Sequence, residues 1–223
     1  MAVQTGEGTE NIIYGTTSVP AGPRTLGGYL ARPDGRFEWP TILVFGPEPE
    51  PTGAIKNICR VFARHGIAAL APDLTGDADR DLRIAESMAQ FITNPAGDWS
   101  NAEYGFGVLA FEAGLPNALS LASAEGRVLA AAAIGSDLPA ELVERMQGID
   151  VAGMFIGSRG DEAVDIDAVL DQRDRLPQTT FVIYPEGPTG FWNDDADGFH
   201  VELFDDALDR VIAFMGRQLP PRV

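Results

Sequence analysis

Short apolar runs alternate with segments of helical period along most of this 223-residue chain, and this alternation constrains its fold more than any other feature. The pattern is typical of βα units that build a mainly parallel sheet. Strands of the buried type are predicted at residues 41–45, 68–71, 108–111, 128–134, 151–156 and 181–184. The sequence therefore predicts an α/β fold with a wide central sheet and helices on both faces.

The beginning of the chain departs from this pattern. Residues 12–19 and 27–31 are strand-like and flank Pro-Ala-Gly-Pro at 20–23, a link rich in turn residues. Two strands joined in this way predict an antiparallel hairpin at the edge of the sheet. No internal repeat or long linker divides the sequence, so we expect one domain over residues 1–223, with residues 1–11 flexible.

Two helices can be placed from apolar spacing. The first has Ile55, Ile58, Cys59 and Phe62 on one face and Gly66 as its stop, which makes Cys59 a core residue. The second is predicted near the end of the chain and should dock on the core. Its apolar face would consist of Phe204, Leu208, Val211, Ile212, Met215 and Leu219.

Composition narrows the classes of function. With 16 basic and 33 acidic residues the formal net charge is −17, which would repel nucleic acid. No stretch of ~18 apolar residues predicts a membrane span, and the first twenty residues do not resemble an export signal. With a single cysteine the chain cannot form an intrachain disulfide. Its cysteine and histidines also do not have the spacing of a zinc site. We expect a cytoplasmic protein without a metal or another cofactor.

The run Val-Leu-Ala-Phe-Glu-Ala-Gly at residues 108–114, followed by an apolar helix, indicates a nucleophile elbow. An elbow is a strained strand-to-helix turn, and small residues on both sides of the nucleophile permit it. Glu112 occupies the nucleophile's place. Two interpretations stay open: a carboxyl group held at a tight turn without chemistry, or a ligand-binding or catalytic carboxylate.

Together with this elbow, several segments resemble the dienelactone hydrolase family of α/β-hydrolases. They are residues 28–33, 40–45, 65–74, 155–161 and 184–191, and the likeness spans about residues 12–219. The resemblance implies an α/β-hydrolase fold with a catalytic triad of a thiol, an acid and a histidine. By the same resemblance, Glu112, Asp161 and Thr189 stand at the three triad positions.

Two of these three positions differ from the family's pattern. The family reads Gly-x-Cys-x-Gly-Gly at the elbow, whereas residues 110–115 read Ala-Phe-Glu-Ala-Gly-Leu. The family's histidine lies in Gly-His-Gly/Ser-Phe, and the corresponding residues 188–191 are Pro-Thr-Gly-Phe. Asp161 remains at the acid position, but an acid that orients an imidazole has no imidazole to orient here. We therefore expect the triad positions to be inactive.

The loop after the first parallel strand also opposes acyl transfer. An oxyanion hole needs the backbone N–H after the elbow residue, here that of Ala113, and another from this loop. The loop reads Gly-Pro-Glu-Pro-Glu-Pro at residues 46–51, so its prolines cannot donate, and Glu48 and Glu50 bring negative charge near a developing oxyanion. We expect the residual pocket to include Glu48, Phe111, Ala113, Phe191, Trp192 and His200.

The sequence is compatible with two other sites. Ser136, Asp161 and His200 occur in the chain order of an α/β-hydrolase triad, although Ser136 follows a different strand from the elbow.

The second is a Ca²⁺ or Mg²⁺ site of carboxylates, built from Glu48, Glu50, Glu112 and Asp161. No residue spacing requires such a metal site.

We interpret the chain as a non-hydrolytic binding or assembly protein that keeps the hydrolase scaffold. The alternative is a hydrolase of small esters, lactones or halo-acids, acting through Glu112 or through the set of Ser136, Asp161 and His200. A small-molecule ligand is expected in the residual pocket. A homo-oligomer or a protein partner stays open, and neither nucleic acid nor a membrane is expected as a partner.

Overall fold

A computed structural model describes residues 8–95 and 98–223. Within them the strands are β1 (Ile12–Ala21), β2 (Arg24–Pro33), β3 (Thr41–Phe45), β4 (Ala68–Pro72), β5 (Phe106–Phe111), β6 (Val128–Ile134), β7 (Ala152–Ser158) and β8 (Thr179–Tyr184). The helices are α1 (Gly53–Arg64), α2 (Ala78–Thr93), α3 (Leu115–Ala124), α4 (Ala140–Gln147), α5 (Ile166–Asp171) and α6 (Val201–Gln218). The prediction that residues 1–11 are flexible falls mostly outside the described residues.

The eight strands form one sheet in the order β1-β2-β4-β3-β5-β6-β7-β8. The six strands from β3 to β8 run parallel, whereas β1 and β2 pair antiparallel and β2 pairs antiparallel with β4. All residues of β3 and β5 are buried, as expected for strands covered on both faces. The predicted α/β architecture with an N-terminal hairpin is confirmed.

The hairpin strands are longer than predicted. Pro20 belongs to β1, where it pairs with Thr25, and the turn is confined to Gly22 and Pro23. A proline is tolerated there because β1 is the edge strand, and no strand of the described residues pairs with its outer side. Gly22 has φ of +60°, the left-handed conformation that glycine adopts at low cost.

Helices cover both faces of the sheet. The sheet therefore separates the hydrophobic core into two clusters, one on each face. One cluster joins α2, α3, α4 and α5 to the sheet, and the other joins α1 and α6 to the opposite face. Cys59 lies fully buried on α1, and burial raises the pKa of its thiol to about 12. The apolar face of α6 differs from the prediction at Ile212, which is only partly buried, while Phe214 is buried.

The parallel topology places the carboxyl ends of β3, β5, β6, β7 and β8 at one end of the sheet. In open α/β sheets this is where ligands bind. No helix of the described ranges is long and apolar enough to cross a membrane.

Candidate active site

The turn after β5 has the geometry of an elbow. The chain passes from Phe111 through a 3-10 turn at Glu112–Gly114 directly into α3. Glu112 has φ of +48°, a conformation that non-glycine residues adopt at a cost. A Cβ atom on Gly114 would run into the carbonyl oxygen of Phe45, so the third residue of the turn must be glycine for α3 to approach β3. The backbone thus presents the Glu112 side chain at the end of the sheet.

A buried indole holds the Glu112 carboxyl group. Trp192 Nε1 donates a hydrogen bond to Glu112 Oε1 at 2.9 Å, and Trp192 is 1% exposed. The indole in turn packs against Phe111, with ring centroids 4.4 Å apart. Burial raises the pKa of Glu112, and the negative charges of Asp161 and Glu48 raise it further, whereas the hydrogen bond from Trp192 opposes the shift.

The loops after β7 and β8 meet at a second polar contact. Thr189 Oγ1 donates to Asp161 Oδ1 at 2.7 Å, and the same carboxylate oxygen accepts the Ala163 N–H at 3.0 Å. Thr189 Oγ1 also accepts the N–H of Glu162 at 3.0 Å. The single hydroxyl proton of Thr189 is therefore used by Asp161, which is 5% exposed. The acid orients a hydroxyl group that cannot act as a base at neutral pH.

The proline-rich loop after β3 lies on the other side of the elbow. It is tied to the loop after β4 by the Leu74 N–H, which donates to the Pro49 carbonyl oxygen at 2.7 Å. Pro47, Glu48 and Pro49 line a cavity of about 200 Å³ together with Ala113. Glu48 and Ala113 share this cavity, whereas Glu112 lines a different one, which Ala113 also borders.

A cavity of about 290 Å³ opens beside the Glu112 carboxyl group. Its polar side chains are those of Glu112, Asp137 and Thr189. The rest of its wall comes from small or apolar residues: Ala113, Leu115, Pro116, Gly135, Pro139, Leu142, Ala163 and Val164. No basic side chain lines this cavity in the described part of the chain.

Several solved structures similar to this one carry the names of hydrolases. A protein assigned to the dienelactone hydrolases from Klebsiella pneumoniae subsp. pneumoniae MGH 78578 matches with a TM-score of 0.81 and 21% identity, over 93% of this chain and 99% of that one. A dienelactone hydrolase-like promiscuous phosphotriesterase from metagenomic libraries matches with a TM-score of 0.74 and 15% identity, over 94% and 99%. A cold-adapted esterase from an Arctic intertidal metagenomic library matches with a TM-score of 0.68 and 16% identity, over 97% and 100%.

The chain has the α/β-hydrolase fold. At these identities the likeness concerns the fold alone. Neither a family model nor a curated protein matches the chain by sequence.

Within this α/β-hydrolase fold, the three residues that the resemblance places at the triad positions lie at one site. Glu112 and Thr189 line the same cavity, and Asp161 holds Thr189 from behind. Of the expected pocket residues, Phe111, Phe191 and Trp192 are buried in the core and do not line this cavity. Phe191 packs edge-on against Tyr184, with ring centroids 5.8 Å apart.

The structure does not bring Ser136, Asp161 and His200 together. Ser136 is fully buried, and its Oγ lies 3.4 Å from the Ile134 carbonyl oxygen. The His200 side chain is 47% exposed at the start of α6, with Nδ1 3.2 Å from the Glu202 carboxylate. His200 therefore belongs to the protein surface and is not paired with either proposed triad partner.

The proposed carboxylate site for Ca²⁺ or Mg²⁺ is not assembled either. In residues 8–95 and 98–223, no three side chains of histidine, cysteine, aspartate or glutamate are grouped so that they could hold a metal ion. Glu48 and Glu50 are exposed on the loop after β3, whereas Asp161 is buried below Thr189.

Sequence reasoning missed the wall of the Glu112 cavity. Pro139 and Leu142 reach it because α4 follows β6 closely, and Val164 reaches it from the loop before α5. Part of this wall could have been predicted from position alone. Asp137 and Pro139 follow the predicted strand at 128–134, so they lie at the carboxyl end of the sheet, where ligands bind.

Proposed function

We propose that this chain is a non-hydrolytic protein of α/β-hydrolase fold that binds a small neutral or cationic molecule in the cavity beside Glu112. The observation that carries the proposal is the pairing of Thr189 with Asp161 at 2.7 Å, where a hydrolase would hold an imidazole. Without an imidazole, no group at this position can take a proton from a nucleophile and return it to a leaving group.

The carboxyl group at the elbow supports the same proposal. Burial raises the pKa of Glu112, so the charged carboxylate that a nucleophile requires forms less readily here than in water. Trp192 Nε1 also occupies one of its two oxygens. A carboxyl group held in this way can accept a hydrogen bond from a bound molecule or donate one to it.

The backbone around the elbow gives little support to an oxyanion. Three of the residues at 46–51 are prolines and have no N–H, and Glu48 lies close enough to raise the pKa of Glu112. Developing negative charge would meet existing negative charge, which disfavours the transition state of acyl transfer.

The wall of the cavity indicates the class of ligand. Apolar residues dominate it, and its charged side chains, Glu112 and Asp137, are both acidic. Such a cavity disfavours anions and accepts a compact hydrocarbon that carries a hydroxyl or an ammonium group. We favour ligand binding over assembly because the cavity is preformed.

The indole N–H of Trp192 provides a local test. In protein labelled with ¹⁵N-tryptophan, the chain's three indole signals can be assigned with Trp192→Phe. Cyclohexanol, cyclohexylamine and cyclohexanecarboxylate form a matched set that differs mainly in charge. We expect saturable shifts of the Trp192 signal with the alcohol and the amine and none with the acid.

Two variants complete this experiment. Leu142→Trp, which fills the cavity, should abolish the shifts, whereas Val201→Ala, on the exposed start of α6, should leave them unchanged. An absence of any saturable shift, or a preference for the carboxylate, would contradict the proposal.

A hydrolase acting through Glu112 is the second candidate, and the strained φ of +48° at this glutamate favours it. In that reaction a carboxylate oxygen of Glu112 would displace halide from an alkyl halide and form an ester. Hydrolysis of this ester needs an activated water, which Thr189 cannot provide. Mass spectrometry of protein treated with 1-bromobutane would then show one added butyl group at Glu112 that persists, and Glu112→Gln would remove it.

A further inference from the structure

A third cavity, of about 230 Å³, lies at the opposite end of the strands from the elbow. It opens where β7 and β8 begin, beside Gly153 and Thr179. A strand rises roughly 3.3 Å per residue, so Gly153 and Thr179, each five residues before the end of its strand, lie about 17 Å from the carboxyl ends of β7 and β8. It is therefore independent of the site described above.

The floor of this cavity is hydrocarbon. It consists of Leu119, Ala131, Met146, Ile149, Val151 and Leu176. Ala131 and Leu176 are buried members of the core, whereas Ile149 and Val151 are only partly buried and pack at its border. A cavity with such a floor is stabilised when an apolar group displaces water from it.

A positioned arginine stands on the rim. Arg175 Nη1 donates to Gln172 Oε1 at 2.8 Å, and Nη2 donates to Gln147 Oε1 at 3.3 Å. Gln147 Nε2 donates back to the Arg175 carbonyl oxygen at 3.1 Å. These amide groups hold the guanidinium in place without neutralising its charge.

The charge of Arg175 is not met by a carboxylate. Among the residues that the structure describes, no acidic side chain lies within ion-pair distance of Arg175. The nearby Asp150 instead accepts a hydrogen bond from Gln178 at 3.2 Å. Since a guanidinium carries five N–H donors and two are used, three remain for a ligand.

We propose that this cavity binds a small amphipathic carboxylate, such as a short aliphatic carboxylic acid. Its carboxylate would lie on the free N–H groups of Arg175, and its hydrocarbon would cover the floor formed by Met146 and Leu176. A planar guanidinium matches a carboxylate with two parallel hydrogen bonds. In a chain with a net charge of −17, a fixed cation beside an apolar cavity is the feature that selects an anion.

Hexanoate is a direct probe, with hexan-1-ol as its uncharged match. In protein labelled with ¹³C-methyl methionine, the Met146 signal, assigned with Met146→Leu, reports on the floor of the cavity. We expect a saturable shift with hexanoate. Hexan-1-ol should bind roughly tenfold or more weakly, because it cannot form the paired charge-assisted hydrogen bonds.

Arg175→Gln should weaken hexanoate binding by at least ~10-fold, whereas Arg173→Gln should leave it unchanged. Arg173 is a matched control because it is exposed, lies two residues away and does not line the cavity. Ala131→Leu fills the cavity without changing its charge and should also abolish binding. This second variant keeps the test valid where Arg175→Gln is poorly folded.

Equal affinity in Arg175→Gln and the wild type, or unchanged binding in Ala131→Leu, would overturn the proposal. So would the absence of a saturable shift of Met146 with hexanoate. A shift of the Trp192 indole signal in place of Met146 would place the acid at the Glu112 cavity and would overturn it as well.

Discussion

The elbow after β5 and the loops after β3 and β8 meet at one end of the sheet, yet they differ from a working hydrolase in different ways. At the elbow the strained backbone is present, with φ of +48° at Glu112, and only the side chain is unsuited to acyl transfer. In the loop after β8, Thr189 contacts Asp161 at the position where the resemblance to dienelactone hydrolases implies a histidine. In the loop after β3 the difference lies in the main chain, because its three prolines carry no N–H donors.

This difference shows which of these features could be repaired by substituting single side chains. A side chain can be replaced without disturbing the turn that presents it, so the elbow and Thr189 are open to repair. Missing backbone donors cannot be restored by a side chain, and the loop at residues 46–51 would have to be rebuilt. We therefore expect the missing backbone donors of the β3 loop to be harder to repair than the side chains at Glu112 and Thr189.

The largest effect is expected from rebuilding that loop in a repaired site. Glu112→Cys with Thr189→His restores a thiol and an imidazole beside Asp161, and we expect ester hydrolysis to stay near background. Replacing residues 47–51 by an uncharged segment without proline should then raise the rate by ~10²–10³, the value of one oxyanion donor. Steady-state hydrolysis of p-nitrophenyl acetate measures both variants.

The double variant without the new loop is the control for this experiment. Ordinary hydrolase rates in that control, of order 1–10³ per second, would show that side chains alone account for the loss. Slow alkylation of its cysteine by iodoacetamide is also expected, because nearby carboxylates raise a thiol's pKa.

The packing of the elbow can be tested through Gly114. Gly114→Ala places a Cβ atom against the Phe45 carbonyl oxygen, so it should lower the free energy of unfolding by about 1–3 kcal/mol. Gly216→Ala is the matched control, because Gly216 is exposed in α6 with open space around it and should gain about 0.4–1 kcal/mol. Urea unfolding measures both, and equal effects would contradict the packing argument.

The contact between the loops can be tested through Thr189. Thr189→Val keeps the shape but removes the hydroxyl donor to the buried Asp161, so unfolding should become easier by about 1–2 kcal/mol. Thr189→Ser keeps the donor and should be nearly neutral. If both variants have the wild-type stability in urea, Asp161 does not depend on this hydrogen bond.

The smallest effect is expected from the elbow carboxyl group. Burial raises the pKa of Glu112 above its ordinary value of 4.5, so the folded protein binds the proton more tightly than the unfolded chain. Its contribution to stability is full below that value and is lost as the pH rises through the raised pKa. Glu112→Gln keeps an oxygen for Trp192 Nε1 but carries no charge.

This variant should therefore gain stability relative to the wild type as the pH rises from 4 to 8. The gain should stay below about 1 kcal/mol, because solvent screens a half-buried group. Thermal unfolding at several pH values measures it, with Glu86→Gln on the exposed side of α2 as the control. A constant difference between variant and wild type would show that Glu112 ionises normally.

The sequence predicted the strands well because each is a short apolar run with clear ends. The bounds at residues 41–45 and 128–134 are those of β3 and β6. The turn at Glu112 was predictable because small residues follow it and a strand precedes it. These are local signals that do not depend on how distant segments pack.

The chemistry between distant segments was not predictable. The hydrogen bond from Thr189 to Asp161 joins residues 28 positions apart, and its existence depends on how two loops close. The wall contributed by Leu142 depends on where α4 docks. His200 was expected in the pocket from its place in the chain, but at the start of α6 its ring turns to Glu202.

The central claim is that the fold is retained without hydrolysis, and burst kinetics with p-nitrophenyl acetate test it most directly. The purified wild-type protein should show neither a burst of p-nitrophenol nor turnover above buffer. Turnover that is abolished by Glu112→Gln would contradict the claim and assign catalysis to the elbow carboxylate. Turnover abolished by Ser136→Ala would contradict it equally and would assign catalysis to a rearranged Ser136, Asp161 and His200.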